Sequence, residues 1–266
     1  MGLKNKIDPF LHNNRKALSL FVTAGYPTVE TTVPLVVALA KAGADIIELG
    51  IPFSDPIADG PTIQLSSEVA LRNGVTLQKT LDMAKEIHKQ TNVPLVLMGY
   101  SNPIYAFGLQ KFFSKCKDIG IDGTIIADLP LEESDEYRTL ARQNDIATIF
   151  LAAPTTSPER LVQLDQASTG FLYCVSITGV TGERKALAGQ ADNFLKKART
   201  CVKKNPLLVG FGISTPDDAK RIASLSDGII IGSALIKTIQ AAQNNHMIEE
   251  AVKYVKSMRN ALDTHG

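Results

Sequence analysis

The chain has 266 residues, 44% of them hydrophobic and 21% charged, with a formal net charge of +1. That length buries a large core and falls short of what usually forces two domains. Basic residues scattered among acids exclude the positive stripe that a phosphate backbone requires, so nucleic acid is not an expected partner. The stretch Met1-Gly2-Leu3-Lys4-Asn5-Lys6-Ile7-Asp8 has no apolar run after its lysines, and no segment approaches the roughly twenty apolar residues of a membrane span. A soluble, unexported, cytoplasmic protein is the expectation. Cys116, Cys174 and Cys201 are too few and too widely spaced for a disulfide framework or a zinc knuckle, and read as reduced core thiols.

In chain order, short runs rich in Val, Ile and Leu stand at 18–23, 46–50, 95–98, 124–127, 147–151, 171–175, 207–211 and 228–231. Each reads as a strand buried on both faces. Amphipathic segments with helical spacing run over 31–41, 77–89, 111–117, 134–143, 157–166, 191–202, 215–224 and 248–262. Eight strands alternating with helices predict fold class α/β, a (β/α)8 TIM barrel spanning 1–266 as one domain, with extra helices at the N-terminus and in the loops. A doubly wound open sheet is the alternative, though it ordinarily has fewer strands or a second domain.

A barrel gathers its chemistry on the loops that follow the strands. Five such loops are distinctive: Thr23 to Pro27, Ile51 to Pro61, Gly99 to Pro103, Asp128 to Pro130, and the glycine-rich Ser176 to Arg184. Glu48 interrupts the second apolar strand. A two-residue period puts it on one face with Ile46 and Gly50, and puts Tyr173 on one face with Phe171 and Val175. If the first face looks into the barrel, Glu48 is a buried carboxyl whose pKa rises toward neutrality, as a general acid/base requires. The other reading turns Glu48 outward into a capping bond.

Asp59 lies eleven residues later in a proline-stiffened loop, just before the helix entry Gly60-Pro61-Thr62. It reads either as a turn or N-cap residue or as a second carboxylate of unequal environment facing the same ligand. Gly212 before Ser214-Thr215-Pro216, and Gly232-Ser233-Ala234 after the eighth strand, suit a phosphate at helix N-termini, with Thr181-Gly182 contributing from the sixth loop. The same glycines also suit plain tight turns.

Other chemistries lack their residues. Gly210-Phe211-Gly212 has Thr215 where a dinucleotide fingerprint needs glycine, and no P-loop is present. His12, His88, His246 and His265 are isolated, giving no metal cluster, and no lysine occupies a strand core for Schiff-base chemistry. No cofactor or metal is expected in this chain.

The run Glu48 to Pro56 with Ala58-Asp59-Gly60-Pro61, then Tyr100-Ser101-Asn102-Pro103, Ala127-Asp128-Leu129-Pro130, Gly179-Val180-Thr181-Gly182 and Gly210-Phe211-Gly212-Ile213, resembles the tryptophan synthase alpha subunit family from about Phe21 to the last helix. The resemblance implies retro-aldol cleavage of indole-3-glycerol phosphate to indole and glyceraldehyde 3-phosphate. It implies Glu48 as acid/base, Asp59 on the indole N–H, and Phe21, Met98, Tyr100, Ile125, Tyr173 and Thr181 around the substrate. It also implies phosphate on Gly182, Gly212, Gly232 and Ser233, and Pro52, Asp55, Asn102 and Pro130 toward a beta subunit in an alpha2-beta2 heterotetramer. Pyridoxal phosphate is implied only in that beta subunit. Many members have an arginine shortly after the serine of the sixth-strand loop, where Ile177 and Thr178 follow Ser176 here. A stand-alone indole-releasing lyase, a barrel acting on another indole or anthranilate phosphate, and a non-catalytic regulatory barrel remain as alternatives.

Overall fold

Strand pairing decides between the closed and the open sheet. The computed structural model describes residues 2–11, 15–175, 184–210, 212–242 and 246–264. Its strands are β1 (Ala17–Thr23), β2 (Ile46–Gly50), β3 (Leu95–Gly99), β4 (Gly123–Ile126), β5 (Ala147–Ile149), β6 (Leu151–Ala152), β7 (Leu172–Val175), β8 (Leu207–Gly210) and β9 (Gly228–Ile231). They form one parallel sheet in the order β5-β4-β3-β2-β1-β9-β8-β7-β6. Its two ends are halves of one strand: β5 pairs with β4, β6 pairs with β7, and Phe150 alone separates them. The ring therefore closes into a TIM barrel, and the open sheet is excluded. Phe150 does not leave its backbone unmet at the change of partner, because its N–H donates to Ser168 Oγ at 3.2 Å and its carbonyl accepts from the Tyr173 N–H at 3.1 Å.

Alternation along the strands sorts side chains into two apolar layers. Ala17, Ile46, Val96, Ile125, Ala147, Ile149, Phe171, Leu208 and Ile230 fill the lumen. Their neighbours of opposite parity, such as Leu18, Ile47, Leu95 and Leu97, pack outward against the helices. Helix α1 (Leu3–Leu11), the expected N-terminal addition, joins the lumen cluster through the fully buried Leu3 and Ile7, and Lys6 pairs with Asp122 at 2.5 Å.

The outer helices are α2 (Val29–Lys41), α3 (Pro61–Arg72), α4 (Leu77–Gln90), α5 (Ser101–Phe107), α6 (Leu109–Ile119), α7 (Asp135–Gln143), α8 (Pro158–Ala167), α9 (Arg184–Cys201), α10 (Pro216–Ala223), α11 (Ser233–Ala241) and α12 (Met247–Asp263). Helix α9 begins seven residues before the sequence expectation of Ala191. Helix α5 starts inside what reads from sequence as loop. The Asp128 carboxylate, from the loop after β4, accepts the Ser101 N–H at 2.7 Å and its hydroxyl at 2.8 Å. A cap supplied from another loop leaves no local sequence signal. Cys116 and Cys174 are buried, and Cys201, half-buried at the end of α9, packs against the edge of the outer core. Among the described residues no helix is long and apolar enough to cross a membrane.

Candidate active site

Register places the carboxylates. Glu48 shares lumen parity with Ile46, pairs with Phe21 on β1 and Val96 on β3, and is fully buried. Its inward direction follows from the strand pleat, and the outward capping role is excluded. Oε1 accepts the Ser19 hydroxyl at 2.7 Å, while Oε2 is buried without a hydrogen-bond partner among the described residues. Burial pushes the Glu48 pKa up to about 7, against a smaller lowering effect from Ser19.

Asp59 is held by the chain around it and by a distant tyrosine. Its N–H donates to the Pro56 carbonyl at 3.0 Å, and Gln64 Nε2 donates to its own carbonyl at 2.9 Å. The Tyr100 hydroxyl donates to Oδ2 at 2.8 Å and accepts the Ala58 N–H at 3.1 Å. Burial raises the Asp59 pKa, and the Tyr100 bond opposes that rise. Tyr100 is itself pushed up, first by burial and then by the Asp59 charge, so it stays a donor.

Above the lumen lies a cavity of about 370 Å³. Its lining includes Phe21, Asp59, Met98 and Tyr173 together with Gly212, Gly232, Ser233 and Lys237. The glycines make room. A Cβ on Gly210 would stand 2.8 Å from Tyr173 Cζ, and one on Gly50 would stand 2.7 Å from Phe21 Cε2, inside the distance real side chains tolerate. Gly212 has φ +33°, and Gly232 precedes the first turn of α11. The lining thus combines aromatic and carboxylate side chains with glycines, a helix N-terminus and a cation that suit an anion.

The tryptophan synthase alpha chain family profile matches residues 8–263. The tryptophan synthase alpha chain of Geotalea daltonii is 47% identical over 238 residues, covering 90% of each chain, and that of Geotalea uraniireducens is 44% identical over 253 residues, covering 95% of this chain and 94% of its own. The chain belongs to the tryptophan synthase alpha chain family. The crystal structure of tryptophan synthase subunit alpha from Legionella pneumophila superposes with a TM-score of 0.88 at 39% identity, covering 99% of both chains.

In this alpha-chain barrel the residues besides Glu48 that the sequence singles out fall into five groups. Phe21, Met98, Tyr173, Asp59, Gly212, Gly232 and Ser233 line the cavity together. Tyr100 reaches it through Asp59 and stacks on Phe53, with ring centroids 5.2 Å apart. Ile125 is wholly buried in the lumen beside Met98, part of the packing beneath the site. Thr181 and Gly182, like Ile177 and Thr178, lie outside the described residues. Of the rim residues, Asp55, Asn102 and Pro130 are exposed, but Pro52 is buried at the end of β2. Ile57, in the loop with Asp55, is 85% exposed.

Sequence reading missed Ser19 and Lys237. Lys237 follows Ser233 by four residues on α11, the spacing that brings two side chains onto one helix face. Ser19 is a hydroxyl in an apolar strand with the parity of Ala17 and Phe21, a signal that only the position of Glu48 makes meaningful.

Proposed function

We infer that the chain is the indole-releasing subunit of a tryptophan synthase, a carbon-carbon lyase that cleaves indole-3-glycerol phosphate to indole and glyceraldehyde 3-phosphate. The observation that carries the reading is Glu48, a buried carboxyl with a pKa near 7, set among the strands that line a ligand-sized cavity.

Breaking the bond from indole C3 to the side chain requires a proton at C3 and loss of a proton from the adjacent hydroxyl. The Glu48 carboxyl gives its proton to C3, and positive charge appears on the indole nitrogen. The resulting carboxylate takes the hydroxyl proton as the carbon-carbon bond breaks. Those bond electrons return to the ring, and the aldehyde forms. A pKa near the working pH suits one group to both transfers. Ionised Asp59 accepts the indole N–H and stabilises the cation by a charge-assisted bond, while Tyr100 fixes its orientation.

The phosphate sits at Gly212, Gly232 and Ser233, at the α11 N-terminus; the family resemblance adds Gly182 to this set and gives Thr181 to the rest of the substrate. Lys237 adds a positive charge there. Lys237→Met is expected to raise KM about fivefold and change kcat little, because an exposed cation contributes about 1 kcal/mol. Steady-state kinetics at low ionic strength measure this, and an unchanged KM would leave the anion to the backbone alone.

Alpha chains of this family pair with a beta subunit, which holds the pyridoxal phosphate. For this chain the finer picture is a cytoplasmic alpha2-beta2 heterotetramer in which residues 1–266 act as one catalytic domain. Its rim residues Asp55, Asn102 and Pro130 face the partner, with Pro52 shaping the loop beneath them.

Indole release from indole-3-glycerol phosphate, assayed with and without a beta subunit, tests the whole reading. Release that the beta subunit accelerates is expected. Equal rates in both arms would point to a stand-alone lyase, and no release in either to a regulatory barrel.

A further inference from the structure

We propose that Ser19 is a positioning residue for Glu48, holding one carboxyl oxygen so that the exchangeable proton resides on the other. The proposal rests on the lyase reading given above and goes beyond it by assigning separate roles to the two oxygens of the acid/base.

Ser19 lies on β1, where its register partners are Ile46 on β2 and Ile230 on β9, and it is fully buried. A hydroxyl among such neighbours has to find a partner, and the one recorded for it is Glu48 Oε1 at 2.7 Å. The donated hydrogen occupies Oε1. Protonation there would turn the serine hydrogen away from its acceptor, into an apolar lumen. Oε2 makes no hydrogen bond among the described residues, so it is the oxygen left free to carry the exchangeable proton. Ser19 also favours the charged form of Glu48 and opposes the rise that burial causes.

The titratable groups whose charges meet here are Tyr173 from β7 and Asp59 from the loop after β2. The register neighbours of Glu48, Phe21 on β1 and Val96 on β3, are apolar, as are Leu3 and Ile7 from α1. Ser19→Ala changes none of these, so a shift in Glu48 reports the hydroxyl itself.

The test is direct titration of the Glu48 carboxyl by carbon-13 NMR in the full chain, with its signal assigned by its loss in Glu48→Gln. The pH dependence of kcat is measured in parallel. In Ser19→Ala the Glu48 pKa is expected to move up by about one unit, the size of a hydrogen bond to a charged group. The limb of the kcat profile governed by Glu48 moves with it, kcat falls several-fold, and KM stays near its original value. Ser19→Thr, which restores a hydroxyl on the same Cβ, returns the pKa toward that of the parent chain. A Glu48 titration unchanged in Ser19→Ala overturns the proposal. So does a shift that Ser19→Thr fails to reverse while its fold, judged by circular dichroism, is intact. The NMR titration decides on Ser19 even if the parent chain releases no indole, a result that would sink the lyase reading alone.

Discussion

Glu48→Gln is expected to abolish nearly all indole release and at the same time to make the chain more stable at pH 8. The catalytic loss expected for removing a general acid/base is about 10²–10⁴-fold in kcat, with KM little changed because the amide keeps the carboxyl's shape. The gain in stability follows from the sign of the pKa shift. Glu48 titrates near 7 in the fold against an ordinary 4.5, so the folded chain holds this proton more tightly than the unfolded chain. Below the ordinary value the group costs nothing; the cost grows as pH rises through the interval and is complete above about 7. At 1.36 kcal/mol per pK unit it reaches about 3 kcal/mol. Glutamine carries no charge to bury, so the variant's Tm should exceed that of the parent by about 5 °C at pH 8 and by much less at pH 5. Thermal melts at the two pH values measure the difference. A variant that melts lower than the parent at pH 8 would mean that the buried charge is compensated and that Glu48 is not poised for proton transfer.

Asp59→Asn separates charge from shape. Asparagine retains an oxygen to accept the Tyr100 hydroxyl, and the backbone bonds of residue 59 to Pro56 and Gln64 do not involve its side chain. The loop should therefore keep its course. What disappears is the negative charge opposite the indole nitrogen in the transition state, a loss of about 10²–10³-fold in kcat for a single well-placed electrostatic group. Inhibition by glycerol phosphate, which has a phosphate but no indole N–H for Asp59 to meet, should stay close to that of the parent chain. Ordinary turnover in this variant would return Asp59 to a role in loop structure, the simpler of its two sequence readings.

These two carboxylates differ in how they could be read. Glu48 stands out from sequence because a charged residue inside an apolar strand is costly, and the two-residue period narrows it to one of two faces. Asp59 does not stand out, since aspartate in a proline-rich loop is ordinary turn chemistry. It gains its significance from Tyr100, which lies 41 residues away and brings its hydroxyl to Oδ2. Helix α5 escaped detection for a similar reason, because its first N–H is met by Asp128 from a neighbouring loop.

The sequence by itself determined the alternation of strands and helices, and hence the barrel, because burial on both faces writes continuous apolar runs and burial on one face writes a helical period. It also pointed, through the barrel's loops and the family's motifs, to the residues to inspect. The tertiary structure alone decided that the ring closes through Phe150, that Glu48 faces the lumen with one oxygen held by Ser19 and the other unmet among the described residues, and that Lys237 joins the glycines at the cavity. Those facts arise where strands distant in the chain come side by side. A pattern read along one strand fixes which face a side chain takes, but never what stands opposite it.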